Sequence, residues 1–399
     1  MLSESSRQII EETLPDMQER IRRITPAFYN EMLTEREDLL DGMFSRVDQV
    51  VGTQPQALAG SITFFASYVL NHPGSSPDEI LTRVAHKHAS LGVPAEEYVT
   101  VYQFLFKAIE KEFGEEYTPE FRDAWTEIYW MMADALIRIE RSLYDSQAND
   151  QVNAPFTLVK KEQKADKIFD LVFEPADDTP LSDVKAGQYL SVIVKTKDGL
   201  RQPRQYVALP CGLNQRRIAV ELDRTGEISP ILTGLQVDDT VEISNPYGDL
   251  TLEKTVTDGF SPLYVFTQGI GIAPALAFAH QLAREHAARD IIFVHADESL
   301  RTWAYREELE EATGKLPRGK LISFLQASGE GDFTGSINMK KLEITPRSFA
   351  YVCGPVDFKQ TVRSGLIANG VPGKNIQFET FGSDPYMHTA TRRTMHRRY

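Results

Sequence analysis

The spacing of the hydrophobic residues changes twice along this chain, and this constrains the fold more than any other feature of the sequence. From Ser3 to about Tyr144, apolar side chains recur every three or four residues, as on amphipathic helices. One such stripe consists of Phe121, Trp125, Ile128, Met132, Leu136, Ile139 and Leu143. The pattern predicts an all-α domain, which we place at residues 1–147.

The polar segment Asp145 to Pro155 has no apolar period and is predicted to be a linker. Short β-rich runs separated by Gly, Pro and Asp clusters follow, at 167–173, 189–194, 218–222 and 240–243, and predict a small antiparallel β-barrel. From Leu263 strands alternate with helices, which predicts a parallel sheet of βα units. We therefore expect a multidomain chain, with the all-α domain followed by a β-barrel domain (153–258) and an α/β parallel-sheet domain with a C-terminal extension (259–399).

Charge and cysteine content exclude several classes of function. Lys and Arg total 43 against 57 Asp and Glu, and the resulting formal net charge of -14 disfavours nucleic acid and anionic membranes as partners. Cys211 and Cys353 form no C-x-x-C pair, which disfavours a disulfide scaffold, a structural zinc site and a cysteine-ligated iron–sulfur cluster. With no export signal or long apolar run in the sequence, we expect a cytoplasmic protein without membrane insertion. We also expect a monomer.

The segment Leu81 to Val93 presents a histidine from an apolar helix face. That face is formed by Leu81, Val84, Ala85, His88 and Leu91. His86 points away from it, and the stop signals Gly92 and Pro94 put His88 in the last helical turn. The placement suits an axial haem ligand, but on this segment alone a core histidine with a satisfied hydrogen bond is the better explanation.

Two motifs follow strands of the α/β domain. Gly269-Ile270-Gly271-Ile272-Ala273-Pro274 begins a helix directly after the strand LYVFT, where glycines let the backbone approach a pyrophosphate and the helix N-terminus supplies free N–H donors. Cys353-Gly354-Pro355 follows a later strand. Either motif alone is explained almost as well by an ordinary turn. Together they predict a ligand site at the carboxyl edge of the sheet.

In the barrel, Arg204-Gln205-Tyr206 places a cation and an aromatic ring two residues apart, so that both face the same way along a strand. The pair can meet a phosphate and a planar ring system, or it can be a common cross-strand surface pair. Gly226-Glu227-Ile228-Ser229 offers free backbone donors and a hydroxyl, and its alternative is an ordinary hairpin or helix cap.

The barrel and βα motifs, in this order, resemble those of the ferredoxin–NADP reductase family, namely R-x-Y-[ST] for the flavin and G-x-G-x-[TA]-P and C-G-P for the nicotinamide. Placed after a globin-like helical domain, they resemble the flavohaemoglobin family of nitric oxide dioxygenases, from Leu2 to Gly382. The resemblance implies bound haem b and FAD, reduction by NADH or NADPH, and O2 and NO as substrates that are converted to nitrate.

The resemblance also implies residue roles around the haem. His88 matches the proximal iron ligand, and Tyr98 and Glu140 match the pair that hydrogen-bonds and polarises its imidazole. The matches on the other haem face are Tyr29 and Gln54 as hydrogen-bond donors, Phe44 as the residue wedging the porphyrin, and Leu58 as the apolar residue over the iron. Because a residue before proline avoids the helical region, Pro55 makes Tyr29 the expected main donor.

For the flavin, the resemblance implies contacts from Gln188, Tyr189, Arg204, Gln205, Tyr206, Gly226, Ser229 and Phe381. Val207 replaces the usual Ser or Thr, and Glu227 would lie near the pyrophosphate, so we expect FAD binding to be weaker than usual. For the nicotinamide, it implies contacts from Gly269, Gly271, Pro274, Cys353, Gly354 and Pro355. The acidic residues Asp297 and Glu298 would repel a 2′-phosphate and favour NADH over NADPH.

Two other classes of function fit parts of this pattern. An oxygen or nitric oxide carrier or sensor would keep His88 and Tyr29 but would not need Arg204, Tyr206 or the Gly269 loop. A reductase of free flavin, ferric iron or quinone would need only the second half of the chain.

Overall fold

The computed structural model describes residues 2–44, 53–75, 77–255 and 258–379. Within these ranges the chain forms two compact units. The first is built from Met1–Val152 with Lys195–Pro203, and the second from Asn153–Val194 with Arg204–Phe381. None of the helices described is both long enough and apolar enough to cross a membrane.

Long helices with apolar stripes form the first unit. They are α1 (Glu4–Glu35), α2 (Thr53–Asn71), α3 (Asp78–Leu91), α4 (Glu97–Phe113) and α5 (Pro119–Asp145), with short 3₁₀ turns at Glu37–Leu40 and Gly114–Glu116. Ser3 caps α1 by accepting a hydrogen bond from the amide of Ser6, and Thr118 caps α5 by accepting one from Phe121.

The helical core is continuous and dense. Ile10, Met17 and Phe28 of α1 are fully buried, and Trp125 of α5 is 2% exposed. Burying an apolar side chain of this size contributes roughly 1.5–3 kcal/mol. Packing of the stripes, rather than helix propensity, therefore stabilises this unit.

The second unit begins with a closed barrel whose described strand pairs are antiparallel. Its strands, in the order β1-β2-β5-β4-β3-β6, are β1 (Asn153–Ala165), β2 (Ile168–Pro175), β3 (Tyr189–Lys195), β4 (Arg201–Leu209), β5 (Arg216–Glu221) and β6 (Thr240–Ser244). The short helices α6 (Ile228–Gly234) and α7 (Leu252–Thr255) accompany it.

A parallel sheet completes the second unit, in the order β10-β9-β8-β7-β11-β12. Its elements are β7 (Leu263–Gln268), α8 (Ile272–Arg284), β8 (Ile291–Asp297), α9 (Arg306–Gly314), β9 (Gly319–Leu325), β10 (Phe333–Thr334), β11 (Phe349–Cys353), α10 (Val356–Ala368) and β12 (Ile376–Phe378). Short 3₁₀ turns lie at Gly269–Gly271, Met339–Lys341 and Gly373–Asn375.

One hydrophobic core is shared by the barrel and the parallel sheet. It includes Ile168 and Ala219 of the barrel together with Leu263 and Trp303 of the α/β part. This shared core explains why the two parts form a single unit. The boundary between them at residues 258 and 259 stays a prediction.

The predicted fold class, with helices, barrel and parallel sheet in that order, is confirmed. The predicted linker Asp145 to Pro155 was too long, because β1 already begins at Asn153 and pairs there with β6. His86 does leave the apolar stripe of α3, yet it is buried at 8% exposure, so α3 is covered on more than one side.

Candidate functional site

His88 lies in the last turn of α3, which ends at Gly92. Gly92 adopts the left-handed conformation with φ 68°, and the next amide, that of Val93, donates to the carbonyl of His88. A Cβ atom at Gly92 would lie 2.2 Å from Cγ1 of Val152, so only glycine fits this turn. The helix end is thereby fixed immediately after the histidine.

Two helices bring hydrogen-bonding partners to His88. Glu140 of α5 has Oε1 2.8 Å from Nδ1 of His88, and the Tyr98 hydroxyl of α4 lies 2.9 Å from the same nitrogen. Tyr98 also donates to Oε1 of Glu140 at 2.6 Å. Glu140 is only 3% exposed, so its carboxylate is shielded from solvent beside the imidazole.

Electrostatics fix the direction of these bonds. Burial, followed by the nearby Glu140 carboxylate, holds the pKa of Tyr98 far above its usual value. Tyr98 therefore stays protonated and donates to Glu140, and Nδ1 of His88 carries the proton that faces the carboxylate. Nε2 has no protein partner among the described residues. A half-buried imidazole held in this tautomer has the donor atom that an axial haem ligand requires.

The residues predicted for the other haem face are partly brought together. Tyr29 of α1 is 8% exposed, and its ring meets that of Phe44 edge-on with centroids 6.1 Å apart. Leu58 of α2 packs, partly buried, against the same core. Gln54 falls in the first turn of α2, where Pro55 is tolerated, but the side chain of Gln54 lies outside the described residues.

Residues 195–203, which belong to the first unit, form hydrogen bonds with the chain segment that immediately precedes Phe44. The side chain of Gln202 is 1% exposed and donates to the carbonyl of Leu40 at 2.8 Å. The amide of Gly42 donates to the carbonyl of Arg201 at 2.7 Å. Gln202 could not be recognised from the sequence, because a glutamine near the start of a strand is ordinarily exposed.

The two predicted nucleotide motifs lie side by side in the second unit. Strands β7 and β11 are parallel neighbours, with Thr267 opposite Cys353. A Cβ atom at Gly271 would lie 2.5 Å from the carbonyl oxygen of Cys353, so the turn before α8 and the end of β11 make backbone contact. Pro274 lies buried in the first turn of α8. At this edge the glycine backbone is not covered by side chains of its own, and it lies at the N-terminus of α8. Both features are required for binding a pyrophosphate.

The predicted flavin residues lie on β4 and around it. Arg204 is close enough to Tyr206 to influence its ionisation, but burial dominates and raises the pKa of the phenol. Among the described residues none bonds the Tyr206 hydroxyl, whereas Gln205 donates to Ser191 at 2.9 Å. Val207 is 4% exposed and points into the shared core. A cation beside a phenol on one strand fits a phosphorylated flavin.

Other predicted flavin residues have structural partners. The Gln188 side chain accepts from the amide of Lys185 at 2.9 Å, and Tyr189 exchanges backbone hydrogen bonds with Tyr247. The Ser229 hydroxyl bonds the amide and carbonyl of Asp223, and the amide of Gly226 donates to the same carbonyl. Phe381 lies outside the described residues. The Ser229 loop is thus closed on itself.

The carboxyl edge of β8 carries a polar network. His295 is fully buried, bonds the Thr267 hydroxyl through Nδ1 at 2.8 Å, and stacks on Trp303 with ring centroids 4.8 Å apart. Burial lowers its pKa, so His295 is neutral. Asp297 accepts from the Thr302 hydroxyl at 2.5 Å and from the amide of Glu298 at 2.7 Å. The network ties the ends of β7 and β8 together beside the Gly269 turn.

Family comparisons agree with this division of the chain. The Globin family matches residues 26–136, and the Oxidoreductase NAD-binding domain family matches residues 267–364. The first of these ranges contains His88, and the second contains both nucleotide motifs.

Whole-chain relatives combine the same parts. The chain is 32% identical to a flavohemoprotein of Bordetella parapertussis, covering 96% of this chain and 99% of the relative. It is 30% identical to a flavohemoprotein of Bacillus subtilis, covering 96% and 98%.

Comparison with solved structures agrees with these sequence relationships. A flavohemoglobin of Malassezia yamatoensis with bound FAD and heme is 47% identical, with a TM-score of 0.93 over 96% of this chain and 100% of the other. The FAD/NAD-binding domain of a Vibrio cholerae nitric oxide dioxygenase, 24% identical with a TM-score of 0.53 over 57% of this chain and 98% of the other, shares the fold of the second unit. A globin and an NAD-binding oxidoreductase domain in one chain, matched end to end by these relatives, place the protein in the flavohemoprotein family.

Proposed function

We propose that this protein is a nitric oxide dioxygenase that converts nitric oxide and dioxygen to nitrate at a haem b, which NAD(P)H re-reduces through FAD in the cytoplasm. The motif resemblance supports this activity, and the Malassezia relative, which holds FAD and heme, supports both prosthetic groups. When bound, the haem would supply the iron at which the two gases react, and FAD would divide the electron pair of a hydride into single electrons.

The observation that carries this proposal is the hydrogen bond between the half-buried His88 and the buried Glu140. A carboxylate that accepts the proton of Nδ1 makes the imidazole a stronger donor through Nε2. If His88 held the haem iron through Nε2, this donor strength would make the iron more electron-rich, which suits oxygen chemistry rather than storage. Tyr98 holds the carboxylate in place from the other side.

The second unit would position the electron donor. Because Gly271 has no side chain, the turn before α8 can contact the backbone of Cys353, and a pyrophosphate could approach the start of α8. Arg204 and Tyr206 would hold the flavin from β4. Each of these groups binds and orients, and none needs to transfer a proton.

We propose NADH as the preferred reductant. Burial alone would raise the pKa of Asp297, but its hydrogen bonds with His295, Thr302 and the amide of Glu298 outweigh burial and lower the pKa, so Asp297 keeps its negative charge. Glu298 beside it is exposed. Two carboxylates at the end of β8 would repel the 2′-phosphate of NADPH.

The decisive experiment mixes the haem- and FAD-loaded protein, reduced by NADH and equilibrated with oxygen, with nitric oxide in a stopped-flow instrument. We expect rapid nitrate formation with two nitrate ions per NADH, because each nitrate consumes one electron and a hydride carries two. Oxygen binding without NADH turnover would instead identify a carrier or sensor. NADH oxidation that requires added flavin, ferric iron or quinone and yields no nitrate would identify a reductase.

A further inference from the structure

A buried cluster of charged residues joins the barrel to α9. Asp170 of β2 is 2% exposed, and the guanidinium of Arg217 on β5 donates through Nε to both of its carboxylate oxygens, at 2.8 and 3.1 Å. The two terminal nitrogens of the same guanidinium donate to the two oxygens of Glu308 on α9, each at 2.8 Å. One arginine thus binds a carboxylate on each side.

Tyr305 adds a hydrogen bond from an uncharged donor to the cluster. Its hydroxyl donates to Oδ1 of Asp170 at 3.1 Å, and its ring lies 5.5 Å from the guanidinium of Arg217. Tyr305 has φ 57°, a left-handed conformation that costs a non-glycine residue about 1 kcal/mol or more. A strained backbone of this kind persists only where surrounding contacts stabilise it. The hydrogen bond from the Tyr305 hydroxyl to Asp170 is one such contact.

Stability alone does not account for this arrangement. Buried ion pairs are often no more stabilising than apolar residues of the same volume, because both charges lose their water. The shared core already attaches the barrel to the parallel sheet, but apolar contact has no preferred direction. A bidentate guanidinium does have a direction, so Arg217 fixes an orientation that the core leaves adjustable.

The cluster touches the structural elements of both proposed cofactor sites. On the barrel side, Arg217 is paired with Leu209 of β4, three residues after Tyr206. On the other side, Glu308 approaches His280 of α8, with 3.4 Å between Oε1 and Nε2. Helix α8 begins directly after Gly271. Few residues therefore separate the cluster from either site.

We propose that Arg217, held at once by Asp170 and Glu308, is a positioning residue that sets the orientation of the Gly271 turn relative to β4 for hydride transfer. This inference rests on the proposed reduction of FAD by NAD(P)H. Hydride donor and acceptor must lie about 3–3.5 Å apart, and a displacement of 1 Å can cost about a hundredfold in rate. The cluster would supply that accuracy without touching either cofactor.

The test measures the limiting rate of flavin reduction by NADH in the anaerobic holoprotein, without nitric oxide, for the Arg217→Lys, Glu308→Gln and Tyr305→Phe variants. We expect the rate to fall about ten- to hundredfold in the first two variants. The fall should be smaller in Tyr305→Phe, which loses only the hydrogen bond from the Tyr305 hydroxyl to Asp170. The dissociation constant for NADH should stay within about twofold. The isotope effect with deuterated NADH should rise because transfer itself becomes limiting.

Glu311→Gln is the matched control, because Glu311 lies on the same helix and forms its ion pair with the exposed Lys315. If Arg217→Lys yields no folded holoprotein, Glu308→Gln and Tyr305→Phe decide the question. Wild-type limiting rates in the cluster variants, or an equal loss in Glu311→Gln, would overturn the positioning role. The experiment measures flavin reduction and not nitrate formation. Its result can therefore be interpreted even if the protein proves not to be a dioxygenase.

Discussion

Oε1 of Glu140 lies 2.8 Å from Nδ1 of His88, and these residues are 52 positions apart in the chain. The pair needs three helices to form, because the Tyr98 hydroxyl of α4 completes it. This geometry leads directly to a spectroscopic prediction.

Replacing Glu140 by Gln should weaken the donor strength of His88, because an amide accepts the Nδ1 proton less strongly than a carboxylate does. We expect a lower iron–histidine stretching frequency in the ferrous haem protein and a loss of about ten- to hundredfold in nitric oxide turnover. Asp134→Asn is the control, since Asp134 is exposed on the same helix. An unchanged stretching frequency would refute the polarising role of Glu140.

Replacing Tyr29 by Phe should speed the dissociation of oxygen from the ferrous haem. The loss of one hydrogen bond to the ligand corresponds to about tenfold in rate. Oxygen displacement by carbon monoxide measures this directly. Tyr102→Phe, which removes a hydroxyl bonded to Thr126 in the same unit, should leave the rate unchanged. Equal dissociation from Tyr29→Phe and wild type would rule out Tyr29 as the donor.

Replacing Gly271 by Ala should weaken NADH binding and lower the stability of the second unit. The new methyl group would lie 2.5 Å from a backbone oxygen of Cys353, so the two turns must separate, at a cost of about 1–3 kcal/mol. Titration of the dissociation constant and thermal unfolding report the two effects. Gly314→Ala, where a methyl group meets nothing within 4 Å, should change neither appreciably. Normal NADH binding by Gly271→Ala would argue against a dinucleotide site here.

Glu308 should make stability depend on pH. Burial alone would raise its pKa, but the hydrogen bond from Arg217 outweighs burial and lowers the pKa from 4.5 to about 2. Because the folded pKa is depressed, the stabilisation of about 3 kcal/mol at most is fully present above about pH 4.5 and disappears as the pH falls towards 2. Urea unfolding of wild type and Glu308→Gln should therefore differ most near neutral pH and converge in acid. A constant difference between pH 7 and pH 3 would contradict this assignment.

Replacing Glu298 by Gln should raise kcat/KM for NADPH relative to NADH by several-fold, because one of the two carboxylates at the end of β8 is removed. The comparison is made at low ionic strength, where screening is weakest. Glu310→Gln on α9 is a control with the same charge change. An unaltered ratio would place the 2′-phosphate elsewhere.

The helical stripes and the βα alternation could be predicted because their periods are local properties of the sequence. The contact between Gly271 and Cys353 also followed from the rule that parallel strands end at a common edge. Strand β1 was missed because only Ala154, Phe156 and Leu158 show the buried alternation, and most of the later residues of the strand are polar and only partly buried.

The cluster around Arg217 could not be predicted from local patterns. Its partners are separated from it by 47 and 91 residues, and Tyr305 lies 135 residues from Asp170. One signal was present, a single aspartate among the apolar residues of the strand IFDLVFEP. A charge at such a position indicates a buried partner but does not identify it.

The two carboxylates that share Arg217 also limit how this protein can be recombined with its relatives. A chimera that takes its barrel from one parent and its α/β part from another separates Asp170 and Arg217 from Tyr305 and Glu308. If the second parent lacks an acidic residue at the Glu308 position, the arginine is left buried with half of its partners. We therefore expect exchange of modules to succeed more readily at residue 152 than at residue 258.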